Sequence, residues 1–138
     1  MSISAVSSNL TKSSNAIELY QGESKDLSLF VCQDVEQADG TFVEEPVDLT
    51  GATLTMTVRT MAGSPDVLIS KSSSNALEIE ILSPEEDGEA LIHIDSVDTE
   101  TMAAGEYRFD IWVLLSSGKR VPVVEVSEFI VNEPITKP

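Results

Sequence analysis

The side chains able to do catalytic or ligating chemistry are few, and their spacing gives them little to work with. One histidine, His93, and one cysteine, Cys32, are the whole imidazole and thiol complement. A Cys–His dyad needs both groups within hydrogen-bond reach and a third to orient the base, and nothing in the spacing points to that. His93 falls at an outward position of an alternating segment, and Cys32 reads as a small residue within a strand. No Gly-rich phosphate loop follows a strand, no His/Cys spacing matches a metal-ligand set, and there is no Gly-x-Ser-x-Gly elbow. Carboxylates are the abundant chemistry. "DVEQAD" with "FVEEPVD", and "PEEDGE", each bring several together. Hard oxygen ligands of this kind are what calcium takes. Neither stretch follows an Asp-x-Asp-x-Asp-Gly loop, so both read as solvated acidic turns. No catalytic residue, metal or cofactor is expected.

Two other segments have the look of motifs. In "PVDLTG", Pro46 to Gly51, Asp48 or Thr50 can accept a bond from a backbone N–H ahead, and Gly51 permits positive φ before the next strand. This is turn chemistry. Asn9-Leu10-Thr11 has the form of a glycosylation acceptor, which matters only in a secreted chain. A sugar-binding surface would need aromatic platforms. With Tyr107, Phe109 and Phe129 assigned to the core, Tyr20, Phe42 and Trp112 remain as candidates for one.

The elements that hold these residues follow from composition and period. The chain has 138 residues, which suits one domain. Its apolar content of 41% and mean hydropathy of +0.04 indicate a globular chain. No apolar run approaches the ~20 residues that span a bilayer. "MSISAVSSNLTKSSNAI" has neither the basic nor the apolar region of a secretory signal. A single cysteine excludes an internal disulfide and fits synthesis in a reducing compartment. The net charge of −16 repels phosphate backbones and anionic membranes, so neither nucleic acid nor membrane is expected as a partner.

Residues 1–16 carry one charge, Lys12, and read as a polar arm that is flexible or ordered by a partner. Residues 17–133 read as strands and 134–138 as a tail. Ile17 and Leu19 alternate in a short strand, and Leu27, Leu29 and Val31 in the next. Asp39-Gly40 is a turn. In "ATLTMTVRT", Leu54, Met56 and Val58 point one way, and Thr53, Thr55, Thr57 and Arg59 the other. "VLISKSS" is a strand. "ALEIEIL" sets Leu77, Ile79 and Ile81 against Glu78 and Glu80, and Ala90, Ile92 and Ile94 alternate inward after the turn at Pro84. Asp98 or Thr99 would cap one helical turn over Glu100 to Ala104, closed by Gly105. "YRFDIWVLL", the turn "SSGK" and "RVPVVEVSEFIV" finish the chain. A change of phase between Val126 and Phe129 predicts a β-bulge, and Pro122 suits a strand edge.

About seven or eight strands with one short helical turn predict an all-β, immunoglobulin-like antiparallel β-sandwich. In such sandwiches a tyrosine at the start of the penultimate strand bonds back to the crossover before it. "AAGEYRF" places Gly105 and Tyr107 at that spacing, with Phe109 where antibody domains put a core cysteine.

The order of these features resembles small structural proteins of tailed bacteriophages, in particular the N-terminal domain of the phage baseplate upper protein family. The matching residues are Asp48, Leu49, Thr50, Gly51, Asp98, Thr99, Gly105, Tyr107, Asp110, Gly118 and Thr136, within residues 17–136. The resemblance implies a non-enzymatic virion protein of a tail, baseplate or fibre adaptor. It would be made in the bacterial host cytoplasm and dock on other virion proteins in a homo- or hetero-oligomeric assembly. The family's coiled-coil or fibre region does not follow here. A capsid decoration protein and a host-polysaccharide-binding sandwich are the alternatives. Ser7 and Leu10 in the arm, Pro122 at a strand edge and Trp112 are the expected contact residues.

Overall fold

A computed structural model describes the backbone of residues 2–6 and all of residues 16–136. Strict alternation decides the strands. It is clearest in β5 (Thr53–Arg59), where Leu54, Met56 and Val58 are fully buried and the threonines and Arg59 are half-buried on the other face. One sheet runs in the order β2 (Ile17–Tyr20), β10 (Arg120–Asn132), β9 (Gly105–Leu114), β5, β6 (Val67–Ser72). The other runs β1 (Ser2–Val6), β3 (Lys25–Glu36), β8 (Glu89–Ile94), β7 (Ile79–Ile81), with β4 (Phe42–Pro46) also on β3. The described residues thus hold ten strands in two sheets, a β-sandwich, with a 3-10 turn at Glu85–Asp87 and one helical turn, α1 (Ser96–Thr99). Two pairs, β1 with β3 and β2 with β10, are parallel, and the others are antiparallel.

The two inner faces supply the core. Phe109 and Phe129 meet edge to face at 6.3 Å between centroids, and Leu27, Leu29, Ile79 and Ile92 close on them from the other sheet. Burial on this scale, at ~25 cal/mol per Å² of apolar surface, is the main stabilising term. The long strand β3 carries two partners in sequence on one flank: β8 along Lys25–Phe30, then β4 along Cys32–Glu36. Val31 bridges them, donating its N–H to Gly88 O at 2.8 Å and accepting from Val47 N at 2.9 Å. Gly88 has φ +69°, and a Cβ there would lie 2.4 Å from Val31 O. Only glycine fits that junction.

Three expectations need revision, and a fourth, Pro122 at an edge, holds locally within an interior strand. Leu77 is 79% exposed. Asn75 Oδ1 accepts from Leu77 N at 3.0 Å and Asn75 O accepts from Glu78 N, so the chain turns there and the strand is only Ile79–Ile81. The irregularity in β10 lies upstream of the expected place. The register against β9 shifts between Pro122 and Val124 and again between Val124 and Ser127, which buries Val123 and Val124 in succession and leaves Val126 out. The helical turn precedes Glu100 rather than following it, because Asp95, not Asp98 or Thr99, stands at its N-cap. Finally, β10 is an interior strand by sheet order, but β2 pairs only with Phe129–Asn132. At Pro122 the ladder is on one flank, against β9, so a residue without N–H is tolerated.

Within residues 1–16, Ser2–Val6 lie parallel to Ser28–Cys32 of the same chain. Ser7 and Leu10 lie outside the described residues.

Candidate functional site

The motif residues separate into two groups, one at each end of β9. At one end, Asp48 Oδ1 accepts from Thr50 Oγ1 at 2.6 Å and from Thr50 N at 2.9 Å. These bonds, the hydroxyl's first, hold the Asp48 carboxyl below its ordinary range. Leu49 is buried, and its N–H donates to Glu85 O at 3.0 Å, tying the loop to the 3-10 turn. Gly51, at φ +71°, sits against the β9–β10 hairpin, where a Cβ would stand 3.3 Å from Ser116 Cβ. Asp48, Thr50 and Gly51 therefore line one open basin of about 600 Å³ with Ser116, Ser117 and Lys119. Gly118 turns that same hairpin at φ +90°.

At the other end, Asp98 is the hub. Its Oδ2 accepts from Asp95 N at 2.8 Å and lies 2.7 Å from Lys71 Nζ. Lys71 points inward from β6 and is 5% exposed. Thr99 is fully buried and takes Gly22 N on its hydroxyl at 3.0 Å, while Gln21 Nε2 donates to Met102 O at 2.7 Å. Tyr107 Oη donates to Ala103 O at 2.6 Å, two residues before Gly105 opens β9. Three side-chain contacts thus bind the crossover to the β2–β3 turn and to β6, and Tyr107 binds it to β9. The two ends are separated by the length of β9, ~30 Å at ~3.3 Å per residue.

The groups with catalytic potential stay apart. His93 Nδ1 lies 2.8 Å from Asp26 Oδ1 across the β3–β8 ladder, and Nε2 lies 3.6 Å from Glu80 Oε1. Cys32 is six residues further along β3 than Asp26, ~20 Å away at ~3.3 Å per residue. Its thiol is pushed up to about 12, first by burial and then by the Glu44 and Asp34 carboxylates. An activated thiol needs the reverse shift. Among the described residues, no group of three His, Cys, Asp or Glu side chains is placed to hold a metal ion.

Trp112 lies on the outward face of β9. Its Nε1 donates to Asp110 Oδ2 at 3.0 Å, and the Arg120 guanidinium covers the ring at 4.1 Å from the centroid. A sugar stacks on a free aromatic face; here a cation occupies it. Sequence reasoning missed the Lys71–Asp98 pair. Its only signal is that Lys71 shares the parity of the buried Ile69.

Such a chain is an all-β sandwich whose charged and polar side chains mainly fix turns and crossovers. No protein-family model matches its sequence, and no curated protein does. Among solved structures, it is similar to the N-terminal domain of phage TP901-1 ORF48, with a TM-score of 0.54 and 10% identity, over 95% of this chain and 96% of that one. The resemblance to a phage protein's N-terminal domain is thus matched by a likeness of fold.

Proposed function

We propose that the chain is a non-enzymatic virion protein of a tailed phage, a tail, baseplate or fibre-adaptor component that docks on other virion proteins. The observation that carries this is the fold likeness to the phage ORF48 domain, which runs through nearly the whole of both chains. It is an argument by analogy, since one fold can host many functions. The chemistry agrees with it. His93 and Cys32 are separated, the thiol is held protonated, and the polar side chains at both ends of β9 serve turns. A sandwich of this kind acts by presenting faces and strand edges. All five residues of β4 are exposed, and at Pro122 β10 has a ladder partner on one flank only, β9. Residues 1–16 and the edge near Pro122 are the proposed contact regions, and the product is made in the host cytoplasm before assembly.

The test is fractionation. Particles from a culture producing the encoding phage are purified, split into heads and tails, and digested for mass spectrometry. Peptides of this chain are expected in the tail fraction. Their absence from both fractions overturns the proposal, and peptides in heads alone replace it with capsid decoration.

A further inference from the structure

The chain holds three arginines, Arg59, Arg108 and Arg120. All three emerge on the outward face of the β10-β9-β5 sheet. Arg59 stands directly opposite Arg108 in the β5–β9 register, and Arg120 stands opposite Leu114 in the β9–β10 register. Like charges directly opposed across a ladder are destabilising. Among the described residues, no ion pair relieves them. Arg59 Nη1 donates to Ser64 O at 2.6 Å, Arg108 Nη1 donates to Tyr107 O at 3.0 Å, and Arg120 lies over Trp112. The carboxylates on the outward face of β9 and beside Arg108 are Asp110, which accepts from Trp112, the exposed Glu106 two residues before Arg108, and Glu128, opposite Arg108 in register. Two shallow hollows of about 130 Å³ and 180 Å³ adjoin here and share Thr57, Arg59 and Asp110. The first reaches Arg108 and the half-exposed Val126, the second Trp112 and Arg120. Together they form a groove across the strands with guanidinium groups along it and an apolar rim.

The opposite arrangement stands on the other sheet. The β3–β4 hairpin, residues 33–46, contains Asp34, Glu36, Asp39, Glu44 and Glu45 and no lysine or arginine. Asp34 is directly opposite Glu44, and Glu36 directly opposite Phe42. Period two therefore puts Asp34, Glu36, Phe42 and Glu44 on one face. Phe42 is 56% exposed. Here too a pair of like charges faces across the ladder, with an unburied aromatic beside it.

We infer that the β3–β4 hairpin of one copy docks in the arginine groove of a second copy, head to tail. A copy cannot satisfy itself this way, because the hairpin belongs to the sheet on the other side of the core. Guanidinium–carboxylate forks bring opposite charges to both frustrated ladders at once, and Phe42 supplies the apolar anchor. The overall charge of −16 opposes approach at low salt. At ~0.15 M salt, charges beyond ~8 Å are screened, and the local complement decides. A heterologous contact of this sort closes into rings or extends as open chains. None of this depends on the phage proposal, since both surfaces belong to the chain.

The experiment is sedimentation velocity at ~0.15 M salt over a concentration series. Wild type is expected to show species larger than a monomer. Arg59→Glu/Arg108→Glu should weaken association ~100-fold, and so should Asp34→Arg/Glu36→Arg, at ~10-fold per reversed charge. An equimolar mixture of the two variants should regain assembly, because the intact hairpin of the first meets the intact groove of the second. Circular dichroism of each variant verifies that it is folded. A wild type monomeric at ~1 mM, which puts any Kd above the millimolar range, overturns the inference. Assembly unchanged in both folded variants overturns it as well.

Discussion

Removing the charge of Asp98 while keeping its shape tests what holds the crossover. In Asp98→Asn the amide oxygen still accepts from Asp95 N, and only the ion pair with Lys71 is lost. The pair is 2.7 Å long, and the side chains are 6% and 17% exposed for Lys71 and Asp98. At an effective dielectric of ~20 the attraction is ~6 kcal/mol, and desolvation of the two ions takes back several. The net value of the pair is therefore small. Breaking it is not, because the desolvation of Lys71 then stands uncompensated, which costs ~3–5 kcal/mol. Lys71→Met should cost less, ~1–3 kcal/mol, since Asp98 keeps its backbone donor and some solvent. In Lys71→Met/Asp98→Asn no buried charge is left, so the coupling energy should exceed ~2 kcal/mol. Urea unfolding measures all four proteins, with the single Trp112 and far-UV circular dichroism as independent probes. Against a total of ~5–15 kcal/mol, Asp98→Asn alone should move the midpoint far. A coupling below ~0.5 kcal/mol would show that the pair acts as two independent surface charges and would refute the reasoning.

Gly88→Ala should cost more than ~2 kcal/mol, from the left-handed backbone and the collision with Val31 O, read as a lowered melting temperature. A melting curve matching wild type would mean the β8–β4 junction yields freely. Thr50→Val removes the hydroxyl donor on Asp48, so Asp48 should titrate closer to the ordinary 3.8 when followed by NMR. A lowered carboxyl pKa stabilises the fold above the unfolded value and stops doing so as pH falls through the folded one. The variant's deficit should thus be largest above pH 3.8 and shrink on acidification. The Cys32 thiol, at about 12, should resist a disulfide-exchange reagent at pH 8 in the native protein and react once unfolded. Its raised value stabilises the fold below 9.0, and that contribution should be lost between 9.0 and about 12. Rapid native labelling would contradict the burial.

Strands with one wet face were legible because period two writes their parity into the chain, as in Leu54, Met56 and Val58. Departures from that parity were legible only in part. The phase change in β10 was visible, but two register shifts moved it upstream to Val123 and Val124. Leu77 was misread because an Asn75 turn overrides the apparent alternation of "ALEIEIL". The helical turn was displaced because Asp95, Asp98 and Thr99 are all competent caps, and Lys71 decides what Asp98 does by holding its carboxylate. Long-range pairing was not legible. Parity puts Arg59 outward, as does Arg108, but nothing in either segment says that the two stand opposite one another. The partner of the first few residues was equally hidden, since the Ser2–Val6 pairing with β3 joins segments more than twenty residues apart.

That unforeseen register bears on how stability and assembly divide between the two sheets. Arg59 and Arg108 face each other at half-buried positions of central strands, where threonine already occupies three of the four outward sites of β5. Threonine at Arg59 would gain β-propensity and lose a like-charge pair of ~0.2–1 kcal/mol, against the one bond that Arg59 makes to Ser64 O. Asp34 opposite Glu44 is a second like-charge pair. Local rules broken without a gain inside the fold are expected at functional positions. Arg108 has Glu128 opposite it on β10, but Arg59 and Asp34 face no opposite charge across their ladders, and two such violations of opposite sign, one on each sheet, can relieve each other between molecules. Arg59→Thr gives up the Arg59–Ser64 O bond together with the like-charge pair, so it should leave the melting temperature of the isolated chain little changed while lowering its association, which a purely structural role for Arg59 would not produce.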